Sequence, residues 1–295
     1  MSGEASEYQA EQRTNRQRDM SDHDTAESGT TSTATNRIDA IFADLRSSGG
    51  KALMPFVCGG HPSLDAFTAM IEAAERAGAS VVEVGIPYSD PIADGPVIAS
   101  AMHEALTAGV TVEQVFERVR AVRERVSIGL VAMVSVSIVN GVGGPEAFCE
   151  RAKAAGFDGL IVPDSPWEES KAIHDACVAN GLTLSLLIAP TTPKERAVEI
   201  ATRCTGFVYL IARAGITGEQ QDAPEIAGRV AALREVTELP IACGFGISTA
   251  EHVRAVVEHA DAAIVGSALV RRVSGSQDPA GEAEGFLREL AGGLG

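Results

Sequence analysis

The chain has 295 residues, 45% of them hydrophobic, and carries 40 acidic against 24 basic side chains for a formal net charge of −16. That length allows one large core or two small ones. The charge argues against nucleic acid or an anionic membrane as partner, because both demand basic patches, but leaves room for a small anion held by backbone amides.

Cys58, Cys149, Cys177, Cys204 and Cys243 are scattered without a Cys-x-x-Cys pair, and the six histidines include no pair at His-x-x-x-His spacing. Neither a metal site nor a disulfide framework is expected. No apolar run approaches the roughly 18 residues of a membrane span, and the N-terminus is polar where a signal peptide would be hydrophobic. A cytoplasmic protein with free thiols is the expectation.

Residues 1–35 are rich in Glu, Gln, Asn, Asp, Ser and Thr and poor in large apolar side chains. Such a segment cannot repay the entropy of ordering and is expected to be a disordered extension; Met20 offers a second possible translation start. From Asn36, the spacing of Ile38, Ile41, Phe42 and Leu45 predicts a helix closed by Gly49-Gly50. One catalytic domain is expected over residues 36–295.

Short apolar strands then alternate with amphipathic helices. The strands fall near Leu53–Cys58, Val81–Val84, Ile128–Val134, Gly159–Val162, Thr183–Ile188, Phe207–Ile211, Ile241–Cys243 and Ala262–Val265. Eight strands each followed by a helix make the arithmetic of an α/β TIM (β/α)8 barrel with an extra N-terminal helix, a doubly wound open sheet being the alternative. Thr111…Gln114, Ser165…Glu168, Thr192-Pro193-Lys194-Glu195 and Ser248…Glu251 have the form of helix starts. The longest interval, between the second and third strands, holds an acidic loop and two helical stretches, Val97–Leu106 and Val112–Val126.

The second strand runs Val81-Val82-Glu83-Val84-Gly85. Alternation puts Glu83 on the face opposite Val82 and Val84, where desolvation raises a carboxyl's pKa and lets it both donate and accept a proton. A strand-end carboxylate paired with a buried Arg or with backbone amides is the plainer alternative. The loop Ile86-Pro87-Tyr88-Ser89-Asp90-Pro91-Ile92-Ala93-Asp94-Gly95-Pro96 follows; Asp94, taken alone, suits a turn before Gly-Pro. Further on, Gly244-Phe245-Gly246-Ile247-Ser248 and Gly266-Ser267 follow the last two strands, where barrels bind phosphate on backbone amides. The stretch Gly215-Ile216-Thr217-Gly218 suits a hinged lid. Lys51, Lys153, Lys171 and Lys194 lie before the first strand or in helices, so Schiff-base chemistry is not expected. Carboxylate proton transfer beside a bound phosphate remains, provided the substrate carries its own electron sink.

The string from Glu83 to Pro96 matches every fixed position of E-[LIV]-G-x-P-[FY]-S-D-P-x-A-D-G-P, and so resembles the signature of tryptophan synthase alpha subunits. The resemblance runs from about Asn36 to about Leu290. It recurs in Pro55-Phe56-Val57, in Tyr209 to Gly218, and in the two glycine loops. It implies retro-aldol cleavage of indole-3-glycerol phosphate to indole and glyceraldehyde 3-phosphate. It also implies an α2β2 complex with a beta subunit that carries pyridoxal phosphate, with no cofactor in this chain.

By the same resemblance Glu83 protonates indole carbon 3, and Asp94 accepts from the indole N–H. Phe56, Tyr209 and Thr217 line the pocket, Gly218, Gly246, Gly266 and Ser267 hold the phosphate, and Pro87, Asp90 and Gly215 face the partner. Two positions depart from the family: His61 replaces an aspartate after the first strand, and Val136 stands where many relatives have tyrosine. A regulatory subunit with weakened catalysis, a stand-alone lyase, or a related barrel acting on another sugar phosphate are the competing functions.

Overall fold

Helix α1 (Arg37–Ser48) forms where the spacing places it: the Asn36 side chain accepts from the Ile38 amide at 2.8 Å, and Gly49 ends the helix at φ 71°. Only glycine takes that left-handed turn without strain. Ile38 and Phe42, four residues apart and so on one face, are buried against Ala52, Met54, Val81 and Phe207. These residues lie at or near strand starts, so α1 closes the N-terminal end of the sheet. Gly129 is cut to fit, since a Cβ there would lie 2.4 Å from Ile38 Cδ1. The computed structural model describes residues 35–91, 94–212, 226–244 and 246–295. The expected N-terminal extension, Gly215, Thr217, Gly218 and Phe245 lie outside the described residues.

The strands are β1 (Ala52–Cys58), β2 (Val81–Gly85), β3 (Gly129–Met133), β4 (Gly159–Ile161), β5 (Thr183–Ser185), β6 (Leu187–Ile188), β7 (Val208–Ile211), β8 (Ile241–Gly244) and β9 (Ala262–Val265). All pair in parallel, in the order β5-β4-β3-β2-β1-β9-β8-β7-β6. The terminal members β5 and β6 are halves of one strand, interrupted at Leu186: the first half pairs with β4, the second with β7. The seam is stitched by Thr205, whose amide donates to Leu184 O and whose hydroxyl accepts from Leu184 N. Eight strand positions therefore close on themselves, and the open-sheet alternative falls.

Register fixes the barrel's pitch. Followed one way from Phe56, the ladder passes Glu83, Val131 and Gly159 to Thr183. Followed the other way from Ala52, it passes Ala262, Ala242 and Tyr209 to Leu187. The paths differ by four residues on β1 and four on the fifth strand, the stagger of eight characteristic of a (β/α)8 barrel. That pitch stacks inward side chains in tiers of four from alternate strands. Met54, Val131, Ser185 and Ala242 form one tier, Glu83, Ile161, Tyr209 and Ile264 the next toward the C-terminal rim, and Phe56, Met133, Leu187 and Gly244 the one above.

Outside the strands lie α2 (Leu64–Arg76), α3 (Pro96–Thr107), α4 (Val112–Arg123), α5 (Val136–Gly141), α6 (Pro145–Ala155), α7 (Lys171–Ala179), α8 (Lys194–Arg203), α9 (Ala227–Arg234), α10 (Ala250–Val257), α11 (Ser267–Val273) and α12 (Pro279–Ala291). The capping box at Thr111 and Gln114 is formed. Three expected helix starts shift. Thr192 turns its hydroxyl back to accept from Ala189 N, leaving Pro193 at the cap of α8. The stretch after Ser165 forms turns, and α7 begins at Lys171. Thr249 rather than Ser248 caps α10, accepting from His252 N. Trp167 is a packing residue, its ring flanked by the guanidinium groups of Arg196 and Arg203 at 5.4 and 5.3 Å.

Candidate active site

Every residue of β2 is buried, and Glu83 is 0% exposed. Strand alternation turns Val82 and Val84 outward to the helix layer and Glu83 inward. Neither carboxyl oxygen has a hydrogen-bond partner, and burial drives its pKa well above the usual carboxylate range. The alternative, pairing with a buried Arg or with backbone amides, is thus not made. A lone buried carboxylate costs on the order of several kcal/mol. Such a cost at one position of an otherwise apolar strand makes Glu83 the candidate for chemistry here.

The tier above Glu83 forms the pocket wall. Phe56 clusters with Cys58, Ile98, Ala101, Met102 and Val270, against which Tyr88, Val97 and Met133 pack. Helix α3 contributes Ile98, Ala101, Met102 and Ala105, spaced as one face. Gly85 gives the Phe56 ring its place, and Gly244 does the same for Tyr209, whose hydroxyl lies 2.7 Å from where a Cβ would stand. The Tyr209 phenol is pushed well up by burial and then by the Glu83 charge, and in their shared tier the two groups face each other across the barrel from β2 and β7.

Asp94 enters from the loop between β2 and α3. Burial raises its carboxyl to about 6, offset in part by the Tyr88 hydroxyl, which sits 3.5 Å from Oδ2. Tyr88 is itself pushed up to about 12, by burial first and then by the charge of Asp94. Asp94 is thus largely buried rather than solvated as a plain turn carboxylate would be. Within the same loop Pro87 is buried and Asp90 exposed, the latter accepting from Ser89 Oγ at 2.5 Å.

Across the mouth, Gly246 adopts φ 82° ahead of α10, and Gly266 precedes α11, whose first residue Ser267 is buried. A Cβ on Gly266 would come within 3.8 Å of Phe56 Cβ, so this turn borders the aromatic wall. Glu83, Asp94, Phe56, Tyr209, Gly246, Gly266 and Ser267 thus gather at the C-terminal end of the barrel. Tyr88, Met102, Met133 and Ile98 were missed as pocket residues. The spacing of Ile98, Ala101, Met102 and Ala105 was the available signal for α3.

His61 is buried after the end of β1, with Nε2 3.0 Å from Ser274 Oγ and Nδ1 3.5 Å from Glu104. Burial lowers its pKa. Val136 opens α5 and packs on the outer core, while Ser135 and the Val136 amide hydrogen-bond to Asp164 at 2.6 and 2.9 Å. Among the described residues no group of three or more His, Cys, Asp or Glu could hold a metal ion, and no helix is long and apolar enough to cross a membrane.

A closed barrel of eight strand positions, with one raised carboxyl inside it and a second at its C-terminal rim, has the build of a (β/α)8 enzyme. The model of the family described as tryptophan synthase alpha chain matches residues 42–291. A tryptophan synthase alpha chain from Synechococcus sp. (strain CC9902) is 43% identical over 253 residues, covering 84% of this chain and 94% of that protein. One from Alkalilimnicola ehrlichii is 41% identical over 260 residues, covering 87% and 94%. Among solved structures, Mycobacterium tuberculosis tryptophan synthase superposes with a TM-score of 0.81 at 30% identity, over 88% of this chain and 99% of that one. The alpha subunit from Legionella pneumophila gives 0.81 at 30% identity, with the same coverage. The chain belongs to the tryptophan synthase alpha chain family. The family's activity is that of a carbon–carbon lyase, cleaving indole-3-glycerol phosphate in tryptophan biosynthesis.

Proposed function

We propose that Glu83 and Asp94 carry this cleavage between them. Glu83, kept neutral by burial, delivers its proton to indole carbon 3. Asp94, ionised near neutral pH, accepts the indole N–H and stabilises the positive charge that develops on the ring. The side-chain hydroxyl then returns a proton to Glu83 as the carbon–carbon bond breaks. The bonding pair flows into the ring, leaving indole and an aldehyde. Phe56 and Tyr209 line the ring site, with Thr217 placed here by resemblance alone; Gly246, Gly266, Ser267 and, again by resemblance, Gly218 hold the phosphate. The carrying observation is the unpartnered carboxyl of Glu83 buried inside the barrel, with a second, largely buried carboxyl, Asp94, in the loop that follows its strand.

The chain is read as one α half of an α2β2 complex, with pyridoxal phosphate in the beta subunit and no cofactor of its own, working in the cytoplasm. Pro87, Asp90 and Gly215 are proposed to face that subunit. Catalysis is assigned to residues 36–295, so deleting residues 1–35 is expected to leave melting temperature and lyase rate nearly unchanged; a large loss of either would overturn that boundary. Indole release measured with and without the beta subunit tests the central proposal. Turnover that is abolished by Glu83→Gln while substrate still binds supports it; unchanged turnover in that variant would sink it.

A further inference from the structure

The tier beneath Glu83 contains a polar side chain that the reaction as described leaves idle. Ser185 is 0% exposed and its hydroxyl has no hydrogen-bond partner. Its neighbour Leu184 packs outward, while Ile161, level with it on β4, packs in the barrel interior. Alternation therefore turns Ser185 inward. The other three members of the tier, Met54, Val131 and Ala242, are apolar. Ser185 and Ala242 are its two smallest side chains, and they flank the strand that carries Tyr209.

Two unpartnered polar groups thus face the barrel interior from successive tiers, the hydroxyl of Ser185 below and the carboxyl of Glu83 above. Buried polar groups are satisfied in folded proteins, and an enclosed water with two to four polar neighbours is the usual means where side chains do not touch. We propose that Ser185 is a positioning residue for Glu83: through one ordered water on the barrel axis its hydroxyl holds one carboxyl oxygen, leaving the other to face the substrate. The inference rests on the assignment of Glu83 as the proton carrier. The titratable groups that face the pair from the elements around it are Tyr209 from β7 and Asp94 from the loop after β2. Each is present unchanged in a Ser185 variant.

A donor to the carboxylate favours its charged form, so losing it raises the pKa of Glu83. In the full chain assembled with its beta subunit, Ser185→Ala is expected to move the limb of the kcat profile on which Glu83 ionises to higher pH, by about half a unit to one unit. kcat should fall roughly threefold to tenfold, with KM unchanged. Ser185→Thr, which keeps the hydroxyl, should restore the wild-type profile. Should Ser185→Ala not fold, Ser185→Cys, of similar volume and weaker donor strength, reads the same shift. A Ser185→Ala profile that superimposes on wild type, with only a change in melting temperature, would reduce Ser185 to a filler. Glu83→Gln in the same assay separates the two ideas. If it stays active, the assignment of Glu83 fails; if it is inactive while Ser185→Ala superimposes, only the role of Ser185 fails.

Discussion

Gly85 and Phe56 share one volume: a Cβ on Gly85 would lie 2.3 Å from Cζ of the Phe56 ring and 2.5 Å from Cε2. The ring is rigid and buried, so it has nowhere to retreat without leaving the pocket wall. Gly85→Ala is expected to lower stability by about 1–3 kcal/mol, the usual cost of overpacking, and to raise KM roughly tenfold as Phe56 is displaced. Thermal unfolding and steady-state kinetics on one preparation check both effects. An alanine variant with unchanged melting temperature and KM would show that the ring has another place to go.

Glu83→Gln keeps the side chain's shape and removes its exchangeable proton, so kcat should fall by about 10²–10⁴-fold with substrate affinity nearly retained. The same change has a signature in stability. Because the folded carboxyl has a raised pKa, its stabilising contribution is fully present below the unfolded value and is lost as pH rises through the folded one. The glutamine variant should therefore gain on wild type as pH increases above about 4.5. Denaturant melts at several pH values read this directly; parallel curves would mean that Glu83 is not buried in solution.

Asp94 is needed ionised, and burial places its carboxyl at about 6. Lyase kcat/KM should therefore decline as pH drops through that value, an acid limb due to Asp94 set against a basic limb due to Glu83. Asp94→Asn should be severely slowed at all pH values. By the sign argument used for Glu83, it should also be more stable than wild type above pH 6, by up to about 3 kcal/mol, and no more stable below about pH 4. A rate profile flat from pH 5 to 7 in the wild type would remove Asp94 from the reaction.

On the proposed docking surface, occupancy of the site and association of the beta subunit are coupled through the loop after β2, where Asp94 is largely buried and Asp90 is exposed. Reciprocity requires that a glycerol phosphate analogue tighten subunit association by the factor that association tightens the analogue. Asp90→Ala is expected to weaken association several-fold while leaving the melting temperature of the isolated chain unchanged. Titration calorimetry with and without analogue measures both quantities. No interaction with the cognate beta subunit under either condition would favour a stand-alone lyase.

Where periodicity governs, the sequence was informative. The inward face of Glu83, the helix from Arg37 and its glycine stop, and all eight strand positions follow from spacings of two and of three to four residues. The break at Leu186 does not. A run such as Thr183–Ile188 has an unbroken strand pattern, and only the closing of the barrel decides that its halves serve different neighbours. Leu186 N meets Cys204 Sγ at 3.3 Å, and Leu186 O accepts from Tyr209 N, contacts across long sequence distance that no local pattern encodes. For the same reason the raised carboxyl of Asp94 was invisible. Its loop composition describes a turn, while its burial comes from Tyr88 and the wall built by α3.

The helix that seals the floor of the barrel turns the catalytic chamber into a cul-de-sac. With Ile38 and Phe42 filling the strand-start end, the described residues leave the C-terminal rim as the way in, and both halves of a cleaved molecule are expected to leave the way the whole one came in. Any protein seated over that gate becomes the customs post for what is released. If the beta subunit sits there, as proposed, an indole freed behind that seal is expected to meet the companion chain before the solvent.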